Sequence, residues 1–313
     1  MTTRRKLPLF LALGALAAGV AAMIVRSQTR RAERLNPPAG RFVHVDGVRL
    51  HYVERGQGQA VVLLHGNGTM AQDFDLSGVL DLAAAHYRVL AFDRPGYGYS
   101  TRPRGRIWTP AAQAALFAKA FRRLGLERPV VVGHSWGSLV ALALGLQHAA
   151  EIRSLVLLSG YYFPTVRLDV PLLSPPAIPL VGGLLRYTVS PLLGRALWPA
   201  FMRRLFGPGP VPRRFLQFPK WMSLRPSQIK AAAAESALMV PAAAALKSHY
   251  AELRTPAVIL AGAEDRYVSP EQSMRLHKAI PASDLRLVSG MGHMVHHFAP
   301  RKIVAAIDAA ARA

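Results

Sequence analysis

Two rhythms of apolar and polar residues alternate along the chain. Residues 60–64, 88–92, 129–133, 154–158, 257–262 and 284–288 are short runs dominated by Val, Ile, Leu and Ala. Runs of this kind suit strands buried on both faces, as in a parallel sheet covered by helices. Ahead of them, residues 41–46 and 48–54 read as two strands joined at Asp46-Gly47, a hairpin signal. Helical spacing fills the intervals at about 70–84, 109–124, 136–149, 270–280 and 300–312. The alternation predicts an α/β fold built on a doubly wound, mostly parallel eight-stranded sheet.

Two stretches break this rhythm. Residues 161–250 are proline-rich, with Leu184, Trp198, Phe201, Phe215 and Trp221 spread among them. They are far too long for a connection and read as an inserted unit. At the other end, Leu7–Val25 carries no charged residue, and its 19 positions would span about 28 Å as a helix, close to the hydrocarbon thickness of a bilayer. Arg4, Arg5 and Lys6 precede it, and Arg26, Arg30, Arg31 and Arg34 follow. The run continues through Met23-Ile24-Val25, past the small-residue sites at which a signal peptide would be cleaved, so an uncleaved membrane anchor over residues 1–34 is expected, with a cleaved signal peptide as the alternative. Basic residues on the two sides nearly balance, which leaves the orientation open. Residues 35–40, Leu-Asn-Pro-Pro-Ala-Gly, read as a short stiff linker to a single domain over 41–313.

Composition narrows the function. With 313 residues and 51% hydrophobic content, the chain can bury one large core. It contains no cysteine, which excludes disulfides, thiolate metal sites and a cysteine nucleophile. The formal charge of +22 is spread over residues 101–106, 186–230 and the N-terminus without a recognition motif, so no nucleic-acid partner is expected. Attraction to anionic lipid headgroups fits the apolar N-terminus, and an arginine-rich solvated surface is the plainer alternative.

The chemistry concentrates at four strand ends. Val130-Val131-Val132 runs into Gly133-His134-Ser135-Trp136-Gly137 and then directly into helical sequence. This Gly-x-Ser-x-Gly is a nucleophile elbow, a turn so tight that its glycines keep side chains away from the crossing strand and helix. His65-Gly66-Asn67-Gly68 follows the run at 60–64, Glu264-Asp265 follows 257–262, and Gly290-Met291-Gly292-His293 follows 284–288. The order is serine, acid, histidine. Asp93-Arg94-Pro95-Gly96-Tyr97-Gly98-Tyr99-Ser100 forms a further loop after a strand. In these motifs the sequence resembles the α/β-hydrolase fold superfamily, from about Arg41 to the C-terminus.

The resemblance implies roles. Ser135 is the nucleophile, His293 the base and Asp265 the acid that orients the imidazole, the last by the Gly-x-x-Asp pattern at Gly262-Ala263-Glu264-Asp265. Glu264 and Asp284 are the neighbouring acids. The oxyanion would be held by the backbone N–H groups of Trp136 and Asn67. His65 and Asp93 are expected to support their own loops, and residues 161–250 to form a helical cap whose apolar lining favours a small hydrophobic acyl substrate. His293-x-x-His296-His297 lacks a His-Glu-x-x-His pattern or a carboxylate at ligand spacing and reads as structural, so no metal is expected. Gly66-x-Gly68 lacks the third glycine of a dinucleotide fingerprint, and no cofactor is expected.

These features predict a serine hydrolase that cleaves a carboxylic ester or related acyl bond through an acyl-enzyme. Cofactor-free haloperoxidases and carbon–carbon bond hydrolases use the same triad and stay open. A non-catalytic binding module at a membrane is the reading from a different class. Serine at the elbow argues against haloalkane dehalogenases and epoxide hydrolases, which use aspartate there. Neither the physiological substrate nor the oligomeric state is set by the sequence.

Overall fold

One sheet of eight strands organises the chain: β1 (Arg41–Val45), β2 (Val48–Arg55), β3 (Ala60–Leu64), β4 (Arg88–Phe92), β5 (Val130–His134), β6 (Ser154–Leu158), β7 (Ala257–Gly262) and β8 (Ser283–Val288). The computed structural model describes residues 3–313, with side chains from Leu9 onward, so the basic flank at Arg4, Arg5 and Lys6 lies outside the described side chains. Strand order is β1-β2-β4-β3-β5-β6-β7-β8. β2 runs antiparallel to β1 and β4, and all other pairs are parallel. The β1–β2 hairpin turns at Asp46 and Gly47, both at positive φ, which suits Asp-Gly.

The helices are α1 (Thr3–Leu35), α2 (Gln72–Ser77), α3 (Val79–Ala84), α4 (Pro110–Arg123), α5 (Trp136–Gln147), α6 (Asp169–Leu173), α7 (Val181–Tyr187), α8 (Val189–Phe206), α9 (Lys220–Ser223), α10 (Pro226–Lys247), α11 (Glu271–Ala279), α12 (Val295–Phe298) and α13 (Pro300–Arg312). The helical stretch expected at 70–84 is two helices, because Gly78 adopts a left-handed conformation between them. β3, β5, β6 and β7 are buried at every position, which explains their largely apolar sequence, with His134 and Ser154 the polar exceptions. Side chains alternate between two cores. Val62 and Leu64 join Phe92, Phe117 and Leu139 on one face. Val61 and Leu63 join Phe74, Leu80, Ile303 and Ile307 on the other.

Helices α6–α10 lie between β6 and β7. Phe206, Phe215, Phe218 and Met222 from this segment form a third core with Met70, Met294 and Ala32. These apolar residues therefore fasten the segment to the sheet domain. The first helix is fastened too. Ala18, Ala22, Val25, Thr29 and Ala32 form its covered stripe, with Val25 and Ala32 buried, while Leu9, Phe10, Leu11, Leu13 and Leu16 stand exposed. Arg225 pairs with Glu33 at 3.0 Å, and Tyr99 donates its hydroxyl hydrogen to the Asn36 carbonyl. The second half of α1 is a docked element, not a free tether.

Candidate active site

The tight turn after β5 gives Ser135 φ 52° and ψ −115°, a conformation that costs an L-residue free energy and persists only where packing enforces it. The flanking glycines are required sterically. A Cβ on Gly133 would stand 2.4 Å from the Gly137 carbonyl oxygen, and one on Gly137 would stand 2.1 Å from that of Leu64. Gly66 is pressed against the serine from the neighbouring loop, where a Cβ would lie 3.1 Å from Ser135 Cβ.

Asp265 and His293 meet at this turn from the ends of β7 and β8. His293 Nδ1 and Asp265 Oδ2 are 2.8 Å apart in a buried pair. Asp265 Oδ1 accepts from the N–H groups of Tyr267 (2.8 Å) and Val268 (2.9 Å), which fixes the carboxylate. The Tyr267 ring stands edge-on to the His293 ring with centroids 5.0 Å apart. Glu264 instead accepts from Met291 N, and Asp284 pairs with Arg286. Of the three candidate acids, only Asp265 reaches the imidazole. Among the described residues no hydrogen bond joins Ser135 Oγ to His293, a contact that in ligand-free enzymes often tightens only when substrate binds. The N–H groups of Asn67 and Trp136 likewise have no acceptor among the described residues.

A family model described as the alpha/beta hydrolase fold matches residues 59–300. The chain belongs to the α/β-hydrolase fold family. This hydrolase is 27% identical over 276 residues to the 2-hydroxy-6-oxo-2,4-heptadienoate hydrolase of Pseudomonas putida, covering 83% of this chain and 92% of the relative. Among solved structures, an alpha/beta hydrolase fold protein from Burkholderia ambifaria aligns with TM-score 0.72 and 23% identity, over 87% of this chain and 97% of its own. A membrane phospholipase A described as a bacterial virulence factor aligns with TM-score 0.67 and 21% identity, over 99% of this chain and all of its own.

Behind the loop after β3 of this hydrolase lies a buried polar network that the sequence reading missed. Arg94 is fully buried; its Nε donates to the His65 carbonyl at 2.7 Å and its Nη2 to that of Gly66 at 3.0 Å. The same guanidinium makes a two-pronged contact with Glu235 of α10, at 2.6 and 3.0 Å. The Tyr97 hydroxyl lies 2.7 Å from Glu235 Oε2 and 2.8 Å from Asn67 Oδ1 and shares its one hydrogen between them, while Asn67 Nδ2 reaches Ala232 O and Ser236 Oγ on α10. Burial pushes the Glu235 carboxyl up, but Arg94 outweighs it and holds the group below its usual value. One available signal was that Glu235 is the sole acid in the long apolar stretch of α10.

The expected loop histidine and aspartate are in place. His65 bonds Gly66 O through Nδ1 and accepts from Arg94 N at Nε2, so both ring nitrogens serve the loop. Burial, then the charge of Arg94, lowers it to about 4. Asp93 accepts from Ala71 N and Tyr99 N and faces His51 at 2.7 Å.

A second cluster revises one step of the sequence argument. His296 and His297 each contact one oxygen of Asp73, at 3.1 and 2.8 Å. The carboxylate absent from the local sequence comes from α2, more than 220 residues earlier, so spacing along the chain could not reveal it. Among the described residues these three groups could hold a metal ion, their ligand atoms lying within 4.8 Å of one another. The cluster touches the site through His134, whose Nε2 lies 3.1 Å from the His293 carbonyl and whose ring is tilted against that of His296 with centroids 4.4 Å apart. Burial first, then the neighbouring His296 and His293, holds His134 well below its ordinary value.

Proposed function

We propose that this α/β hydrolase is a membrane-anchored serine hydrolase that cleaves a carboxylic ester or related acyl bond of a hydrophobic substrate. The observation that carries the reading is the buried 2.8 Å His293–Asp265 pair beside the strained Ser135. In the proposed reaction His293 Nε2 takes the Ser135 proton as Oγ bonds the acyl carbon. The Asn67 and Trp136 N–H groups hold the oxyanion. His293⁺ then protonates the leaving alcohol as its bond to carbon breaks. A water, deprotonated by the same imidazole, releases the acid and restores Ser135.

The likeness to the Pseudomonas putida dienoate hydrolase, over 83% of this chain, favours a second reading, in which the bond broken is carbon–carbon and the protonated leaving atom is carbon. The anchor reading draws support from the exposed apolar first half of α1. It also draws support from the membrane phospholipase, whose alignment extends over 99% of this chain and so takes in the first helix.

A fluorophosphonate probe together with p-nitrophenyl esters of increasing chain length tests the reading. Labelling and turnover are expected for the native chain. In Ser135→Ala both are expected to fall by at least about a thousandfold in a protein that still folds. Labelling that persists in this variant refutes the nucleophile. Turnover of a 2-hydroxy-6-oxo-dienoate, with esters left intact, would select the carbon–carbon reading.

A further inference from the structure

Exposed large apolar side chains on this molecule are not evenly distributed. Apart from α1, they occur singly at Phe42, Leu82, Ile107, Leu216 and Leu287, as on any protein surface. The rest all fall between residues 166 and 201, on α6, α7, α8 and their connections. Leu168 is 86% exposed, Leu172 76% and Leu180 92%. Such a concentration is an interaction surface, and two observations identify what covers it.

The first is continuity with α1. Helices α7 and α8 pack against α1. The groove between α1 and the α9 region is lined by Gln28, Ala32 and Asn36 on one side and Phe218 and Trp221 on the other. The covered stripe of α1 begins higher, at Ala18 and Ala22, within the uncharged run that ends at Val25. From Ala18 to Val25 the helix rises about 10 Å. If Leu7–Val25 lies in a bilayer, the helices beside its last turns stand at the headgroup level.

The second is charge. Arg186, which belongs to α7, and Arg104 lie close enough to Lys230 for their charges to act on it, and among the described residues no salt bridge joins any of the three to an acid. Burial first, then the charges of Arg186, Arg104 and Arg102, lowers Lys230 below its ordinary value. A like-charged group without counter-charge is complementary to phosphate. Tyr187, half-exposed beside Arg186, has the amphipathic character favoured at the membrane–water interface.

We propose that α6, α7 and the start of α8 form a second membrane-contacting surface that lies in the interface of an anionic leaflet, with Leu168, Leu172 and Leu180 among the acyl chains and Arg104, Arg186 and Lys230 at the lipid phosphates. The proposal rests on the anchor reading but not on the reaction. It makes the cap a partly immersed element beside the anchor, not a domain held away from the bilayer on a stalk.

The absence of cysteine makes the test direct. Full-length Leu16→Cys, Leu168→Cys, Leu180→Cys and Lys278→Cys are each labelled with an environment-sensitive nitrobenzoxadiazole dye. They are reconstituted into vesicles of phosphatidylcholine with equimolar phosphatidylglycerol, with and without brominated acyl chains. Labels at positions 16, 168 and 180 are expected to shift to the blue and be quenched by bromine, while position 278, on exposed α11, is not. Quenching at 168 and 180 should exceed that at 278 by about twofold or more and weaken in pure phosphatidylcholine. Quenching at 16 with none at 168 and 180 overturns the cap surface and leaves the anchor standing. No quenching at any position overturns the anchor and the cap surface together. Labels at 168 and 180 shielded from aqueous iodide yet untouched by bromine would assign the face to a second copy of the chain and overturn the proposal. Quenching that is equal in both lipid mixtures removes the anionic headgroup from it.

Discussion

At the scale of single residues, the distinction between Glu264 and Asp265 is one of direction. They are adjacent, but Asp265 turns to His293 Nδ1 while Glu264 takes the Met291 N–H on the loop before that histidine. Asp265→Asn is therefore expected to fold and to lose turnover by about a thousandfold or more, because an amide leaves the imidazole in the wrong tautomer. Glu264→Gln keeps an acceptor for Met291 N and should retain most activity. Steady-state kinetics on both variants, with melting curves as control, decide between them, and a crippled Glu264→Gln beside an active Asp265→Asn reverses the assignment.

The buried histidines give stability a pH dependence of fixed sign. His65 is held at about 4 in the folded chain by burial and the charge of Arg94, against 6.5 in an unfolded chain. The unfolded state therefore takes up its proton first as pH falls. The contribution is complete above pH 6.5 and is lost on descent towards 4. From His65 alone it amounts to about 3 kcal/mol. His134 and His296 are lowered in the same direction, chiefly by burial. The melting temperature is expected to fall by ~5 °C or more between pH 7.5 and 5. A flat profile over that range would mean that these rings are not held neutral.

At the scale of elements, the polar joint between α10 and the loops after β3 and β4 is the feature with most at stake. Arg94 and Glu235 are both fully buried and fully hydrogen-bonded. Removing one charge leaves the other uncompensated, which costs about 3–5 kcal/mol. Glu235→Gln, which keeps the shape, is expected to show that loss in urea unfolding. Glu151→Gln, which breaks the exposed pair with Arg122, should cost ~1 kcal/mol or less. Equal effects from the two substitutions would show that the buried pair carries no special weight. Because Arg94 also holds the His65 and Gly66 carbonyls, the Glu235 variant should lower kcat more than it raises KM.

At the scale of the whole molecule, the docked half of α1 separates the proposed anchoring from stability. Removing residues 1–17 takes away most of the exposed apolar turns and leaves too short a run to span a bilayer. Attachment to membranes should then become reversible by a high-salt wash, whereas the full chain should need detergent. Removing residues 1–35 also strips Val25 and Ala32 from their contacts and leaves Arg225 without Glu33. Burial of one such valine stabilises by about 1.5–3 kcal/mol. The longer truncation should thus melt earlier than the shorter one. Equal melting temperatures would show that the docking contributes nothing.

The strands, their apolar runs and the order of the chemical motifs were legible in the sequence because each is a local pattern. A wholly buried strand is mostly apolar, Asp-Gly suits a tight hairpin, and a turn as tight as the one around Ser135 needs Gly133 and Gly137. The hydrolase fold followed from those patterns in order. The tertiary structure alone decided that Arg94 and Glu235 join α10 to the loop after β3, and that Asp73 meets His296 and His297. It also decided that α1 lies against α7, α8 and α9 and that residues 166–201 leave apolar side chains exposed. Each of these depends on the direction of side chains brought together from distant segments. A local pattern fixes an element's conformation and its buried face, but the partner across the interface is set only when the elements pack.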